Sequence, residues 1–303
     1  MSIHPPAPSA IRPAAGLFYG CIGMVIFGGT LPATRLALES FDPVFTMFAR
    51  AVIAAMAAGV AIVVLRRKPP FREWRIYLLV AATLVFGFPL FVNLAMVTVP
   101  AAHGGVVLGV LPLLTAAFAM IFDGERPGPA FWGWSLLGAA LVLAFTLGGS
   151  QLQPGIGHFW LLCAAATSAL GYVFSARLSR RRPGWEVIGW ALVLSLPLTL
   201  AGTVSTWKGW TAPPPNPEAI AGLAYLGLGS MFAGFIFWNH GLALGGIARV
   251  GQVQLFQTFV TLGIAALVLG EAVTPTMSGF AGAVVFTVWM ASRVRIGQTD
   301  IRG

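Results

Sequence analysis

Long apolar runs alternate along this chain with short polar breaks. A helix needs about 20 mainly apolar residues to cross a bilayer. A window of that length finds ten runs, near 15–36, 43–65, 75–97, 101–122, 129–148, 157–178, 185–206, 219–242, 247–270 and 275–294. The breaks carry turn chemistry: Phe41-Asp42-Pro43, Lys68-Pro69-Pro70, Gly124-Glu125-Arg126-Pro127, Gln153-Pro154-Gly155, Arg182-Pro183-Gly184 and Pro213-Pro214-Pro215. The breaks at 97–101 and 242–247 are very short, and one long helix kinked at Pro100 is the alternative there. Gly245-Gly246 interrupts the chain at the matching place farther on, which favours two helices. Residues 1–13 contain Pro5, Pro6, Pro8 and Pro13 and are expected to form a disordered tail. The apolar run that follows is too long for the core of a secretory signal. Residues 297–303 form a short second tail.

The runs repeat. Phe91 to Gly133 lies on Phe237 to Gly279 without a gap, at a constant offset of 146. Asn93 falls on Asn239, Gly105 on Gly251, Thr115 on Thr261, and Gly124-Glu125 on Gly270-Glu271. In a second register, offset by 142, Cys21 falls on Cys163, Gly29 on Gly171 and Arg35-Leu36 on Arg177-Leu178. The chain therefore divides into residues 14–150 and 151–296, two copies of one five-helix unit. Both cysteines lie in apolar spans and imply neither a disulfide framework nor a metal site.

Charge sets the orientation. Of the 18 basic residues, Arg12, Arg66, Arg67, Lys68, Arg72, Arg75, Arg126, Arg177, Arg180, Arg181, Arg182, Arg249, Arg293, Arg295 and Arg302 share one side if the N-terminus is cytoplasmic. Arg35 and Lys208 fall outside, and Arg50 lies within a span. Short cytoplasmic loops carry excess Lys and Arg, so both termini are expected in the cytoplasm. Five helices per copy is an odd number, so the second copy must be inverted. The expected fold class is an all-α integral membrane protein, ten transmembrane helices as two inverted five-helix repeats. Composition agrees: of 303 residues, 57% are hydrophobic and only 9% charged, with mean hydropathy +0.85. A soluble domain carries about a quarter charged residues. The net charge of +9 does not point to nucleic acid, because the basic residues sit in loops between apolar spans.

The first span reads Phe27-Gly28-Gly29-Thr30-Leu31-Pro32-Ala33-Thr34-Arg35, followed by Asp42-Pro43 and Arg50. Spans four and nine end in Gly124-Glu125-Arg126-Pro127 and Gly270-Glu271-Ala272-Val273, and span four contains Leu111-Pro112. With these residues the chain resembles the drug/metabolite transporter superfamily, of the ten-helix EamA-like type, over roughly residues 15–295. It departs at Phe27, where the family commonly has Trp, and at Thr258, which stands where the family's proline would recur. The resemblance implies export or exchange of small metabolites such as amino acids.

Polar side chains in hydrocarbon are costly and face a cavity or a partner. The ninth span is the most polar. Gln254, Gln257, Thr258 and Thr261 share one helix face, where the first copy has Leu108, Leu111, Pro112 and Thr115. The stripe either lines a substrate pathway or bonds neighbouring helices; the pathway is preferred, and a polar wall facing an apolar one suits an amphipathic solute. Asn93 and Asn239 are candidates for the same pathway, or for bonding backbone. His240 and His103 are candidate titrating groups or interfacial residues. Arg50 is a candidate for a substrate carboxylate, or for a structural bond. Gly124 and Gly270 read as helix C-caps. Glu125 and Glu271 are expected to bond the N–H groups that open the next helix, where the dipole favours negative charge.

Other functions find little support. Neither lysine follows a glycine-rich phosphate loop. Ser230 and His240, ten residues apart on one helix, lie about 15 Å apart, too far for a nucleophile–base pair. No His or Cys pair has zinc spacing, so no metal or cofactor is expected. The expectation is a secondary transporter in the cell (inner) membrane, working by alternating access on small amphipathic solutes. A channel or a lipid flippase is the alternative. The partners are a small-molecule substrate and the lipid bilayer.

Overall fold

The computed structural model describes residues 13–70, 72–123, 125–148, 155–209, 214–245, 250–293 and 296–298. Its helices are α1 (Ala14–Leu38), α2 (Pro43–Val64), α3 (Trp74–Met96), α4 (Ala101–Phe122), α5 (Pro129–Gly148), α6 (Ile156–Ser179), α7 (Gly184–Thr206), α8 (Pro217–Gly245), α9 (Gln257–Leu269) and α10 (Pro275–Arg293). Among the described residues, seven of these are long and apolar enough to cross a membrane: α1 to α4 and α6 to α8. The helices carry large apolar side chains on the outside of the bundle, such as Leu267 at 88% and Val63 at 74% exposure. Water would penalise such surfaces, whereas lipid suits them.

Local chemistry sets the helix ends. Asp42 caps α2: Oδ1 accepts from the N–H of Val44 at 2.8 Å and of Phe45 at 3.4 Å, and Pro43 occupies the first helical position. Asn216 does the same for α8 by accepting from Ala219 N–H at 2.6 Å, with Pro217 first in the helix. Pro100 precedes α4 in an extended conformation, so α3 and α4 are separate helices rather than one kinked rod. Gly270 ends α9 at φ 64°, where a side chain would strain the backbone. The helical backbone starts at Pro13, one residue before the span given for α1, so Pro13 is not part of the tail; residues 1–12 and 299–303 fall outside the described ones.

The helices pack in matched pairs. α1 lies along α8 and α3 along α6, while α2 meets α7, α4 meets α9 and α5 meets α10. Glycines make the α1–α8 seam close. A methyl group at Gly16 would stand 2.5 Å from the Gly245 Cα, and one at Gly241 would stand 2.8 Å from the Gly20 nitrogen. Without side chains there, the two backbones touch directly. Irregular turns also match: α3 widens to a π-helix at Ala81–Gly87 and α8 at Tyr225–Ala233. A 3-10 turn spans Leu108–Val110 in α4, and another, Gln252–Phe256, precedes α9.

One feature departs from an all-α fold. Glu125–Pro127 (β1) pairs antiparallel with Ile296–Gln298 (β2), tying the break after α4 to the chain beyond α10. Among the described residues such backbone pairing is confined to this one ladder. A three-residue ladder gives no hydrophobic period for a sequence reading to detect.

Candidate functional site

Two adjoining cavities lie at the centre of the bundle. One is lined by Leu31 of α1, by Gly105, Leu108, Leu111 and Pro112 of α4, and by Gln254, Gln257, Thr258 and Thr261 of the ninth segment. The other is lined by Phe27 and Thr30, Arg50 of α2, Leu84 and Phe88 of α3, Tyr172 of α6, and Ser230, Met231 and Phe235 of α8. Leu108, Leu111 and Gln257 border both. Each has about 10 Å³ of open room, barely enough for one water. The irregular turns of α3, α4, α8 and the ninth segment all border these cavities. Such turns free the regular hydrogen-bond ladder and recur at functional sites.

The ninth-segment stripe divides into two kinds of residue. Thr258 donates to the Gly105 carbonyl at 3.3 Å and Thr261 to the Gly28 carbonyl at 2.9 Å. These threonines tie α9 to α4 and α1. Gln254 is 4% exposed; neither its Nε2 nor its Oε1 makes a hydrogen bond of good geometry, although the Tyr172 hydroxyl stands beside the amide, and Gln257 Oε1 has no partner. A buried amide left unpaired costs about 1–3 kcal/mol. The glutamines thus keep hydrogen-bonding capacity toward the cavity that the threonines have given to backbone.

Arg50 is 1% exposed. Its Nη2 donates to Ser230 Oγ at 3.2 Å, and Ser230 Oγ lies 2.8 Å from Thr30 Oγ1. Its Nε and Nη1 have no partner. Above this cluster sits an aromatic group: Phe27 packs edge-on against Phe235 at 4.9 Å, and Tyr172 lies 6.2 Å from Phe235.

Other expected pathway residues sit elsewhere. Asn93 Nδ2 donates to the Pro43 carbonyl at 2.8 Å, and Asn239 Nδ2 to the Gly184 carbonyl at 3.1 Å. Neither lines the central cavities. Each clamps the first turn of a neighbouring helix, α2 or α7, and Asn239 Oδ1 also accepts from Ser175 Oγ at 3.0 Å. Of the two readings of these residues, both Nδ2 groups follow the bond to backbone, while Asn93 Oδ1 is buried without a partner. Thr115 bonds its own helix at the Leu111 carbonyl, 2.9 Å away, and it too lies outside the lining. His240 is exposed and packs edge-on against Tyr19 at 4.6 Å, so it is an outer-face residue.

His103 is buried between helices rather than in a cavity. Its Nε2 lies 3.0 Å from His158 Nε2, and its ring stacks on Phe145 at 4.3 Å. His158 Nδ1 accepts from the Gly155 N–H at 3.3 Å. Glu271 does not bond the helix that follows it. Oε1 accepts from Ala101 N–H at 2.9 Å and Oε2 from Ala102 N–H at 2.8 Å, so it caps α4. The dipole argument holds, but the helix start within reach belongs to the other half of the chain. Gly124 lies outside the described residues, and Glu125 is described only as part of β1.

The sequence reading missed Thr30, Tyr172 and Ser230 as neighbours of Arg50, and His158 as the partner of His103. Ser230 carried a signal: it follows Gly227-Leu228-Gly229 in the middle of an apolar span, where a hydroxyl needs a partner. Among the described residues no three His, Cys, Asp or Glu side chains gather as a metal site would require.

Known proteins share this sequence and fold. The EamA-like transporter family model matches the chain twice, over residues 14–148 and 155–293. The uncharacterized transporter YdeK of Bacillus subtilis (strain 168) is 44% identical over 283 residues, spanning 92% of this chain and 97% of its own. A probable terminal-alkyne amino-acid exporter of Streptantibioticus cattleyicolor is 25% identical over 284 residues, 91% of this chain and 92% of its own. The aromatic amino acid exporter YddG of Ancylobacter novellus is 29% identical over 208 residues, 67% of this chain and 69% of its own. A protein of known crystal structure superposes with a TM-score of 0.68 at 20% identity, covering 92% of this chain and 97% of the other, which speaks for the fold alone. Matched in both halves by one family model, and across nearly its whole length by a transporter 44% identical, the chain belongs to the EamA-like transporter family of the drug/metabolite transporter superfamily.

Proposed function

We propose that this protein is a secondary transporter that exports small amphipathic metabolites such as amino acids by alternating access. The observation that carries this reading is the buried, incompletely bonded amide of Gln254, with Gln257, against the apolar wall of Leu108 and Leu111 in the paired central cavities. Two relatives bearing the names of amino-acid exporters support the substrate class and direction. Cavities this small cannot hold an amino acid, so a solute enters only when the walls separate.

In this reading ten helices cross the inner membrane as inverted repeats of residues 14–150 and 151–296, with both termini cytoplasmic. The twice-matched family model supports the division. The reciprocal packing of α1 on α8 and of α3 on α6 supports the symmetry, as do the matched π-helical turns. The Lys and Arg bias supports the orientation. Ion pairs latch both ends of the bundle. Lys208 meets Asp42 at 3.3 Å at one end; Arg182 meets Glu186 at 2.7 Å and Glu73 at 3.0 Å at the other. A carrier that opens to each side in turn needs contacts at both ends that close and release.

Purified protein in liposomes, given a panel of radiolabelled amino acids with and without a pH gradient, tests the reading. Saturable uptake of some of the panel is expected, and Gln254→Leu is expected to weaken it. Non-saturable ion current, or lipid movement without solute uptake, would overturn it in favour of a channel or a flippase.

A further inference from the structure

Arg50 holds a full positive charge inside the bundle with little to balance it. A guanidinium has five N–H donors. Here one protein partner is present, the Ser230 hydroxyl at 3.2 Å, while Nε and Nη1 have none. A buried cation without a counter-charge is costly, and inside a membrane span such a group marks a solute path by default. Arg50 also lines the central cavity together with Ser230, Thr30 and Gln257. Nη2 carries a second N–H besides the one given to Ser230, and together with the unpaired Nε or Nη1 it forms an edge that a carboxylate engages with two parallel hydrogen bonds. The Ser230 and Thr30 hydroxyls, 2.8 Å apart, stand beside it; one proton joins the two oxygens and the other remains as a further donor.

The rest of the cavity has a different character. Phe27, Phe88, Tyr172 and Phe235 give it an aromatic wall, and Gln257 Oε1 is an unpaired acceptor. An anion alone would leave the apolar wall unmatched. An amine alone would meet the Arg50 charge with repulsion.

We propose that Arg50, with Ser230 and Thr30, forms a carboxylate subsite in the central cavity. The solute it selects is a small carboxylate with an apolar body and a hydrogen-bond donor, such as an amino acid with an apolar side chain. The carboxylate engages the Arg50 fork, the ammonium faces Gln257, and the side chain lies among the aromatic rings. This inference rests on the transporter reading above and adds to it the group that recognises the solute.

The test compares solutes before it compares variants. Wild-type protein in liposomes is given labelled leucine and phenylalanine, with the amines that lack only the carboxylate, isoamylamine and phenethylamine, as competitors. The amino acids are expected to saturate uptake, and the amines to compete about tenfold more weakly or worse. Ser230→Ala is expected to raise KM several-fold. Arg50→Lys, which keeps the charge and loses the fork, is expected to lose most of the preference for the carboxylate while the protein still folds. Amines that compete as well as the amino acids overturn the carboxylate subsite and leave the transporter reading standing. So does a folded Arg50→Lys variant with unchanged KM and unchanged preference. Wild-type protein that moves none of the amino acids overturns the preceding reading, and this one with it.

Discussion

Glu271, at the end of α9, caps Ala102, near the start of α4: Oε2 accepts the Ala102 N–H at 2.8 Å, while Oε1 takes the Ala101 N–H at 2.9 Å. The two residues are 169 positions apart. The carboxylate thus joins the two halves of the chain at a helix start whose free N–H groups would otherwise lie inside the bundle. Hydrogen bonds to a charged group contribute about 1.5–3 kcal/mol each. Glu271→Ala is expected to lower the melting temperature in detergent by several degrees. Glu271→Gln, which can accept only one of the two bonds well, is expected to fall between. Thermal denaturation of the purified variants checks the order.

The two kinds of residue on the α9 stripe respond differently to substitution. Gln254→Leu removes an amide that is incompletely bonded and has only the Tyr172 hydroxyl beside it, so stability is expected to change little while uptake falls. Thr261→Val removes the bond to the Gly28 carbonyl and is expected to cost about 1 kcal/mol of stability. Parallel measurements of melting temperature and initial uptake rate separate the two. Equal loss of stability in both variants would place Gln254 among the structural bonds.

Asp42 gives the fold a dependence on acid. Partial burial works against its charge, but the N–H groups of Val44 and Phe45 and the ammonium of Lys208 outweigh it, holding the carboxyl below its ordinary value of 3.8. A depressed carboxyl contributes stability that is present above the unfolded value and is lost as pH falls through the folded one. The Asp42 contribution is therefore expected to be complete at about pH 5 and to fade below about pH 4. Asp42→Asn keeps an acceptor for the cap. The gap in melting temperature between wild type and this variant should shrink on acidification, because the variant lacks the titrating group.

The α1–α8 seam tolerates no side chain where backbones touch. Gly16→Val would place a Cβ 2.5 Å from the Gly245 Cα. It is expected to separate the helices and abolish monodisperse protein on size exclusion. Gly279→Ala, where a Cβ meets nothing within 4 Å, is the expected neutral control.

The helix positions were legible because apolar length is a local property of the sequence. The α2 and α9 ends were legible because Asp42-Pro43 and Gly270-Glu271 are local chemistry. Repetition drew attention to Asn93 and Asn239, and both perform one task. It could not say that the task was holding the Pro43 and Gly184 carbonyls, because no periodicity encodes which backbone a buried amide reaches. The same limit hid the contact between Arg50 and Ser230, which are 180 positions apart. It also hid Glu271 from its helix. Arg50 stood out as a basic residue in a span, but its unpaired nitrogens are visible only in three dimensions.

The Gly155 N–H also decides something at a distance. It points into His158 Nδ1, so the proton of that neutral ring is on Nε2. That proton is directed at His103 Nε2, which must then be bare, leaving the His103 proton on Nδ1. One backbone amide thereby sets the tautomer of two rings in sequence. A further proton on His103 Nε2 would set two N–H groups against each other. The contact between α4 and α6 is therefore directional: a single ring proton is given from α6 to α4, and the Gly155 amide sets that direction.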